Sequence, residues 1–192
     1  AYPMTPSTTI LEYMSLHAGE WGLVVRQAED EISAANMVIG ASHAGVRALV
    51  PTSGGGYDLM TEAFSLAGMT ETPVVCYLGQ RPGPATGLPT RTSQGDLFLA
   101  LHSSHGEFPR IVLAPHSLEE AFACAGRAFN LADKYQTLVV VLFDEYLASS
   151  VRSANIEPFM IDNITIDRGK MLTAEELERM DGYKRFAITE DG

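Results

Sequence analysis

Leu138-Val139-Val140-Val141-Leu142-Phe143 is the most apolar run in the chain, and it follows a long helical pattern from Leu118 to Lys134. A strand with no polar alternation is one buried on both faces, as in a parallel sheet covered by helices. Working outward, Pro73–Leu78 has the same character, Ile111-Val112-Leu113 is a shorter version, and Arg47–Thr52 reads as another strand. Helical patterns lie between them. Glu31–Ala44 places Ala34, Ala35, Val38 and Ile39 on one side before Gly45, Leu59–Ala67 follows the turn Gly54-Gly55-Gly56, and a short helix spans about Leu97–Leu101. Toward the N-terminus, Leu23-Val24-Val25 reads as a short strand. A helix from about Ser7 to His17 has Ser7 or Thr8 as cap and Gly19 as stop. Strands alternating with helices predict an α/β fold, a doubly wound parallel sheet over residues 1–150. Residues 151–192 carry 9 acidic and 6 basic residues without an apolar period. They read as an extended tail or linker packed on a neighbour.

The whole chain has 192 residues, 46% of them apolar and 19% charged, enough for a sizeable core. Its net charge of −11 argues against nucleic acid as a partner, since phosphate binding needs a basic surface. No apolar run approaches the roughly 20 residues of a membrane span. Two cysteines, Cys76 and Cys124, cannot ligate a four-cysteine cluster and do not make a disulfide scaffold. A reducing, cytoplasmic setting is expected. Ala1-Tyr2-Pro3 reads as the end of a strand, and the C-terminus closes no element, so the chain reads as a piece of a longer protein.

In doubly wound sheets ligands bind at the carboxyl ends of the strands. The chemically marked loops fall there. Tyr2-Pro3-Met4-Thr5-Pro6 is stiffened by two prolines, and reads either as a plain helix entry or as a rigid mount for the Thr5 hydroxyl. Glu29-Asp30-Glu31 starts a helix, where acids suit the dipole. Two acids are explained that way. Glu31, nearest the apolar residues that follow, is the candidate proton donor or acceptor. Ser53-Gly54-Gly55-Gly56 reads as a tight turn and matches no phosphate-binding fingerprint. Arg81, the one basic residue between Arg47 and Arg91, could clamp a carboxylate with two prongs or simply be solvated. His102 and His105 could share a helix face, yet no third metal ligand lies nearby. His105-Gly106-Glu107 suits a polar contact at the rim.

Seven stretches taken together resemble a known family. They are Tyr2-Pro3-Met4-Thr5-Pro6-Ser7-Thr8, Gln27-Ala28-Glu29-Asp30-Glu31-Ile32, Thr52-Ser53-Gly54, Leu66–Pro73, Gln80-Arg81, Thr86–Thr90 and His105–Arg110. Their order and spacing over residues 1–147 resemble the α subunit of 2-oxoacid:ferredoxin oxidoreductases, most of all the 2-oxoglutarate type. The resemblance implies the domain that binds the aminopyrimidine ring of thiamine diphosphate. It assigns Glu31, with Glu29 as the alternative, to the glutamate that hydrogen-bonds N1′ of that ring. It implies substrate contacts for Thr5, Arg81 and Thr90, with Pro3, Ser53 and Gly54 beside the cofactor. Met4, Gly55, Pro82, Ala85, Ser103 and Ser104 depart from the family pattern, and Pro82 bears on the angle of Arg81. The chain has no Gly-Asp-Gly segment for Mg²⁺ and no cluster ligands. The resemblance therefore implies half an active site, completed by a β subunit that carries the diphosphate and Mg²⁺. An iron–sulfur cluster on a partner, coenzyme A and ferredoxin complete the implied reaction. A non-oxidative decarboxylase, a transketolase-like enzyme and a nucleotide-binding module stand as alternatives.

Overall fold

The computed structural model describes residues 1–190. Four strands form one parallel sheet in the order β1-β2-β4-β3: β1 Leu49–Ser53, β2 Val74–Gln80, β3 Arg110–Leu113 and β4 Leu138–Asp144. The register pairs Val50 with Cys76, Val75 with Val139 and Ile111 with Val139. The two central strands, β2 and β4, are the continuous apolar runs of the sequence, and they are buried on both faces as such runs require.

Alternate strand residues feed two cores. Val50, Val74, Cys76, Leu78, Val140 and Leu142 face α2 (Glu31–His43) and α3 (Gly54–Met69), where Tyr57, Met60 and Phe64 are fully buried. Val75, Val139 and Val141 face Ala128 and Ala132 of α5 (Leu118–Tyr135) on the other side. Burying each such side chain contributes roughly 1.5–3 kcal/mol. α4 (Leu97–His102) and the single turn α6 (Glu145–Ala148) complete the sheet region, and α1 (Thr8–Trp21) rests against β1.

Three local readings are corrected. Leu23-Val24-Val25 is not a strand. Leu23 and Val24 are exposed and have no ladder beside them. The segment after them instead touches the N-terminus, where the Ala1 amine donates to Arg26 O (2.7 Å) and Ala28 N–H to Ala1 O (2.8 Å). Gly54-Gly55-Gly56 is the first turn of α3, because the chain passes from β1 into the helix through an extended Ser53. Ser7 does not cap α1 either. Its hydroxyl donates to Met4 O (2.8 Å) and closes the Tyr-Pro-Met-Thr-Pro turn, in which Thr5–Pro6 is cis.

Beyond residue 150 the chain forms two short 3₁₀ turns (Glu157–Phe159, Ile161–Asn163) and α7 (Ala174–Arg179). What it packs on within this chain is α5. Phe159 meets Phe122 edge-on, and Asn130 donates to Thr165 O (2.6 Å) while accepting from Asp167 N–H (2.9 Å). Buried Asp133 Oδ2 is shared by Arg47 Nε (2.9 Å) and Arg168 Nε (2.7 Å). α7 was legible in Thr173-Ala174-Glu175-Glu176, a capping box that the sequence reading passed over.

Candidate active site

Two carboxyl ends of the sheet, β1 and β2, hold the site. β2 runs straight into Arg81, which is buried, and its Nη1 donates to the Thr5 carbonyl (2.6 Å). That bond ties the N-terminal turn to the rim. Gly79 makes the approach possible: a Cβ there would lie 2.7 Å from Pro6 Cγ. Thr5 therefore meets Arg81 through its carbonyl, whereas the sequence pointed to its hydroxyl.

Glu31 is the first residue of α2. Asp30 caps that helix by accepting from Ser33 N–H (2.7 Å), which holds the Asp30 carboxyl below its ordinary value. The Glu31 side chain is 3% exposed and lies over the first turn of α3, where a Cβ on Gly56 would come within 2.8 Å of its Oε1. Its burial comes from the stripe Ala34, Ala35, Val38 and Ile39; Ile32 and Met37 face outward. Glu29 is exposed. Helical rotation thus separates three consecutive acids into an exposed one, a cap and a buried one.

Buried side-chain polar atoms without a hydrogen-bond partner gather here. Among the described residues there are eight such side-chain atoms, and four of them belong to Glu31 (Oε1), Ser53 (Oγ), Arg81 (Nε) and Asp96 (Oδ2). Each costs roughly 1–3 kcal/mol if left unpaired, so their gathering at one rim marks a site built for a polar ligand. A cavity of about 120 Å³ opens beside Arg81 and Asp96, walled also by Gly54, Asp58, Gly83 and Leu99. Burial pulls the Arg81 guanidinium below its ordinary value, and the Asp96 and Glu31 carboxylates push it back.

Glu31, Ser53, Gly54, Thr5 and Arg81 are thus brought together. Pro3 is half-buried in the N-terminal turn. Thr90 is exposed, in the turn where Arg91 N–H donates to Leu88 O (3.0 Å), and among the described residues it makes no bond to the rim cluster. His105-Gly106-Glu107 precedes β3 and so lies at the amino end of the sheet, away from this rim; Ser65 holds it by donating to His105 O (3.3 Å). His102 stacks on Phe98, and no cluster of three metal-ligating side chains exists among the described residues. Gln94, Asp96 and Asp144, which carry no local sequence signal, also belong to this rim, together with the side chain of Gln80. Gln94 donates to Asp144 Oδ2 (2.9 Å), and the Asp96 N–H donates to Gln80 Oε1 (3.1 Å), so the loop after Arg81 is fastened to the ends of β4 and β2.

The family described as "Pyruvate flavodoxin/ferredoxin oxidoreductase, thiamine diP-bdg" matches residues 1–182. The chain belongs to that family. Among relatives of this thiamine-diphosphate-binding oxidoreductase family, the 2-oxoacid:ferredoxin oxidoreductase 1 subunit alpha of Sulfurisphaera tokodaii is 44% identical over the whole of this chain and 32% of its own length. The 2-oxoglutarate synthase subunit KorA of Methanothermobacter thermautotrophicus is 42% identical, again over the whole chain and over 49% of its own length. A solved 2-oxoglutarate:ferredoxin oxidoreductase from Magnetococcus marinus, with 2-oxoglutarate, coenzyme A and succinyl-CoA bound, superposes with a TM-score of 0.86 at 40% identity. That match covers 99% of this chain and 32% of the solved one. The chain therefore spans 32–49% of the length of these relatives. None of them is a non-oxidative decarboxylase, a transferase or a nucleotide-binding module. Among the described residues no helix is long and apolar enough to cross a membrane.

Proposed function

We propose that this chain is the aminopyrimidine-binding part of a thiamine-diphosphate-dependent 2-oxoacid:ferredoxin oxidoreductase α subunit, with 2-oxoglutarate as its substrate. The observation that carries the reading is the buried Glu31 carboxyl, whose Oε1 has no hydrogen-bond partner among the described residues, on the same rim as Arg81. The Methanothermobacter thermautotrophicus subunit and the solved Magnetococcus marinus enzyme are both named for 2-oxoglutarate, which favours that substrate. The residues fit the cofactor, because a buried carboxyl oxygen without a hydrogen-bond partner suits a ring nitrogen that can carry a proton. When bound, thiamine diphosphate supplies the carbon nucleophile that adds to the 2-oxo carbon and the electron sink for loss of CO₂.

The chain's own residues have separate tasks. Glu31 holds and exchanges a proton at N1′ of the ring, as general acid and base. Arg81 receives the substrate carboxylate, for which a planar guanidinium is suited, and Thr5 and Thr90 orient the substrate. Pro3, Ser53 and Gly54 wall the ring and exclude water. A β subunit would hold the diphosphate and Mg²⁺, and a partner's iron–sulfur cluster would supply the electron route to ferredoxin, with coenzyme A as the acyl acceptor. Tyr13, Leu16 and Trp21 of α1, all exposed, support the presence of a partner surface. A cytoplasmic setting belongs to the same proposal.

The test is the purified complex carrying this chain, assayed for ferredoxin reduction that depends on both 2-oxoglutarate and coenzyme A. Arg81→Lys is expected to weaken 2-oxoacid use, and Arg81→Ala to cost about 2–5 kcal/mol in kcat/KM. A complex that reduces ferredoxin equally well without either compound, or with Arg81→Ala, overturns the reading.

A further inference from the structure

Asp96 ends the loop that Arg81 begins. Its structural work is done by its backbone, whose N–H donates to Gln80 Oε1. The carboxylate does something else. Although it precedes α4, it makes no capping bond to that helix. It lies instead against Gly54, where an added Cβ would stand 3.0 Å from Oδ2 and 3.2 Å from Oδ1. This is the positive end of the sixteen-residue α3, a place where an ionised acid can be kept.

The charges facing the acid come from each neighbouring element: Asp58 of α3, Arg81 after β2 and, through Arg81, Glu31 of α2. Burial and Asp58 push the Asp96 carboxyl up, while the Arg81 backbone amide and guanidinium hold it down. Among the described residues the guanidinium itself is bonded only at Nη1, to a backbone carbonyl, and its Nε has no hydrogen-bond partner. A fork held at one prong can swing about that bond.

We propose that Asp96 is a positioning residue for Arg81: the acid, lodged on Gly54 in the cavity both side chains line, sets where the guanidinium charge stands when a 2-oxoacid carboxylate arrives. The inference rests on Arg81 being the carboxylate receptor. Sequence spacing gives no hint of it, since the two residues are joined by a fifteen-residue separation that only the folded loop closes.

Asp96→Asn tests it in the intact complex, because the amide keeps the shape and the backbone latch and removes the charge. KM for the 2-oxoacid is expected to rise about 10-fold with kcat within twofold, the signature of lost ground-state placement. Binding of a 2-hydroxy acid, which has the carboxylate but no carbonyl to react, is expected to weaken by the same factor. The melting temperature at neutral pH is expected to be no lower than the parent's, since a carboxyl whose pKa is raised by burial costs stability once ionised. Unchanged binding overturns the proposal, as does tighter binding, which would make Asp96 a competitor of the substrate. So does a fall of kcat and melting temperature together, which would make the carboxylate structural. Arg81→Ala run in parallel separates the two readings. If it leaves 2-hydroxy-acid binding intact, the carboxylate role of Arg81 fails; if it weakens binding and Asp96→Asn does not, only the positioning role fails.

Discussion

Glu31 and Gly56 are coupled at the level of single atoms. The glycine leaves room for the Thr52 hydroxyl and the Glu31 carboxyl, both of which a methyl group would overlap or crowd. Gly56→Ala is therefore expected to destabilise the domain by about 1–3 kcal/mol, the cost of overpacking. Because the displaced group is the proposed proton carrier, turnover should fall further than stability does; denaturant titration and steady-state assay of the complex measure the two. Glu31→Gln separates shape from proton exchange. Folding and assembly should survive it, and turnover should drop by roughly 10²-fold or more. Glu29→Gln, on an exposed side chain, should do little. A larger loss for Glu29 than for Glu31 would reassign the catalytic carboxyl.

At the scale of elements, α2 matters because its first residue is Glu31, the proposed proton carrier. Its register is set by Asp30, whose side chain accepts the Ser33 N–H. Removing that cap with Asp30→Ala should lower the melting temperature and loosen Glu31 together. The effect has a defined pH dependence. A carboxyl held below its ordinary value of 3.8 contributes stability that is present above that value and lost as pH falls through its depressed folded value. The gap in melting temperature between parent and variant should therefore be constant at neutral pH and close in acid below 3.8. A gap that persists unchanged there would assign the stability to packing and not to the cap. The loop after β2 works in the same way, since its fastening to Gln80 and Asp144 brings Asp96 back to Arg81.

Over the whole molecule, the buried Asp133 is one of several contacts that hold residues 151–190 to the domain, beside the Phe122–Phe159 ring pair and the Asn130 hydrogen bonds. Asp133 Oδ2 faces two guanidiniums, and Arg47 also reaches Asp167 O (2.8 Å). Asp133→Asn leaves both cations facing each other with no counter-charge. It should cost roughly 1–3 kcal/mol, because the two arginines are only half-buried and the penalty for a fully buried pair does not apply. Trypsin should then cut at Arg168 well before the sheet unfolds, and gel analysis of a brief digest shows it. Simultaneous loss of tail and sheet would mean that residues 151–190 are part of the domain's core.

Local chemistry was enough for the parallel sheet, the helices on its two faces and the pairing of chemically marked residues with loops. Apolar runs such as 138–143 have one stable environment, and a cap or a glycine stop acts within a few residues. The resemblance carried by the Tyr-Pro-Met-Thr-Pro turn, the acids at 29–31 and Arg81 agrees with the family to which the chain belongs. What only the tertiary structure decided depends on contacts between distant residues. Leu23–Val25 has strand composition but no neighbour to pair with, and Gly54–Gly56 becomes helix because β1 runs directly into it. His105 falls at the amino end of the sheet because it precedes a strand and does not follow one. Glu31, and not Glu29, is buried because α2 turns that one residue onto Gly56. Asp96 reaches the site only because a fastened loop cancels its distance from Arg81, and no local pattern encodes the far end of a loop.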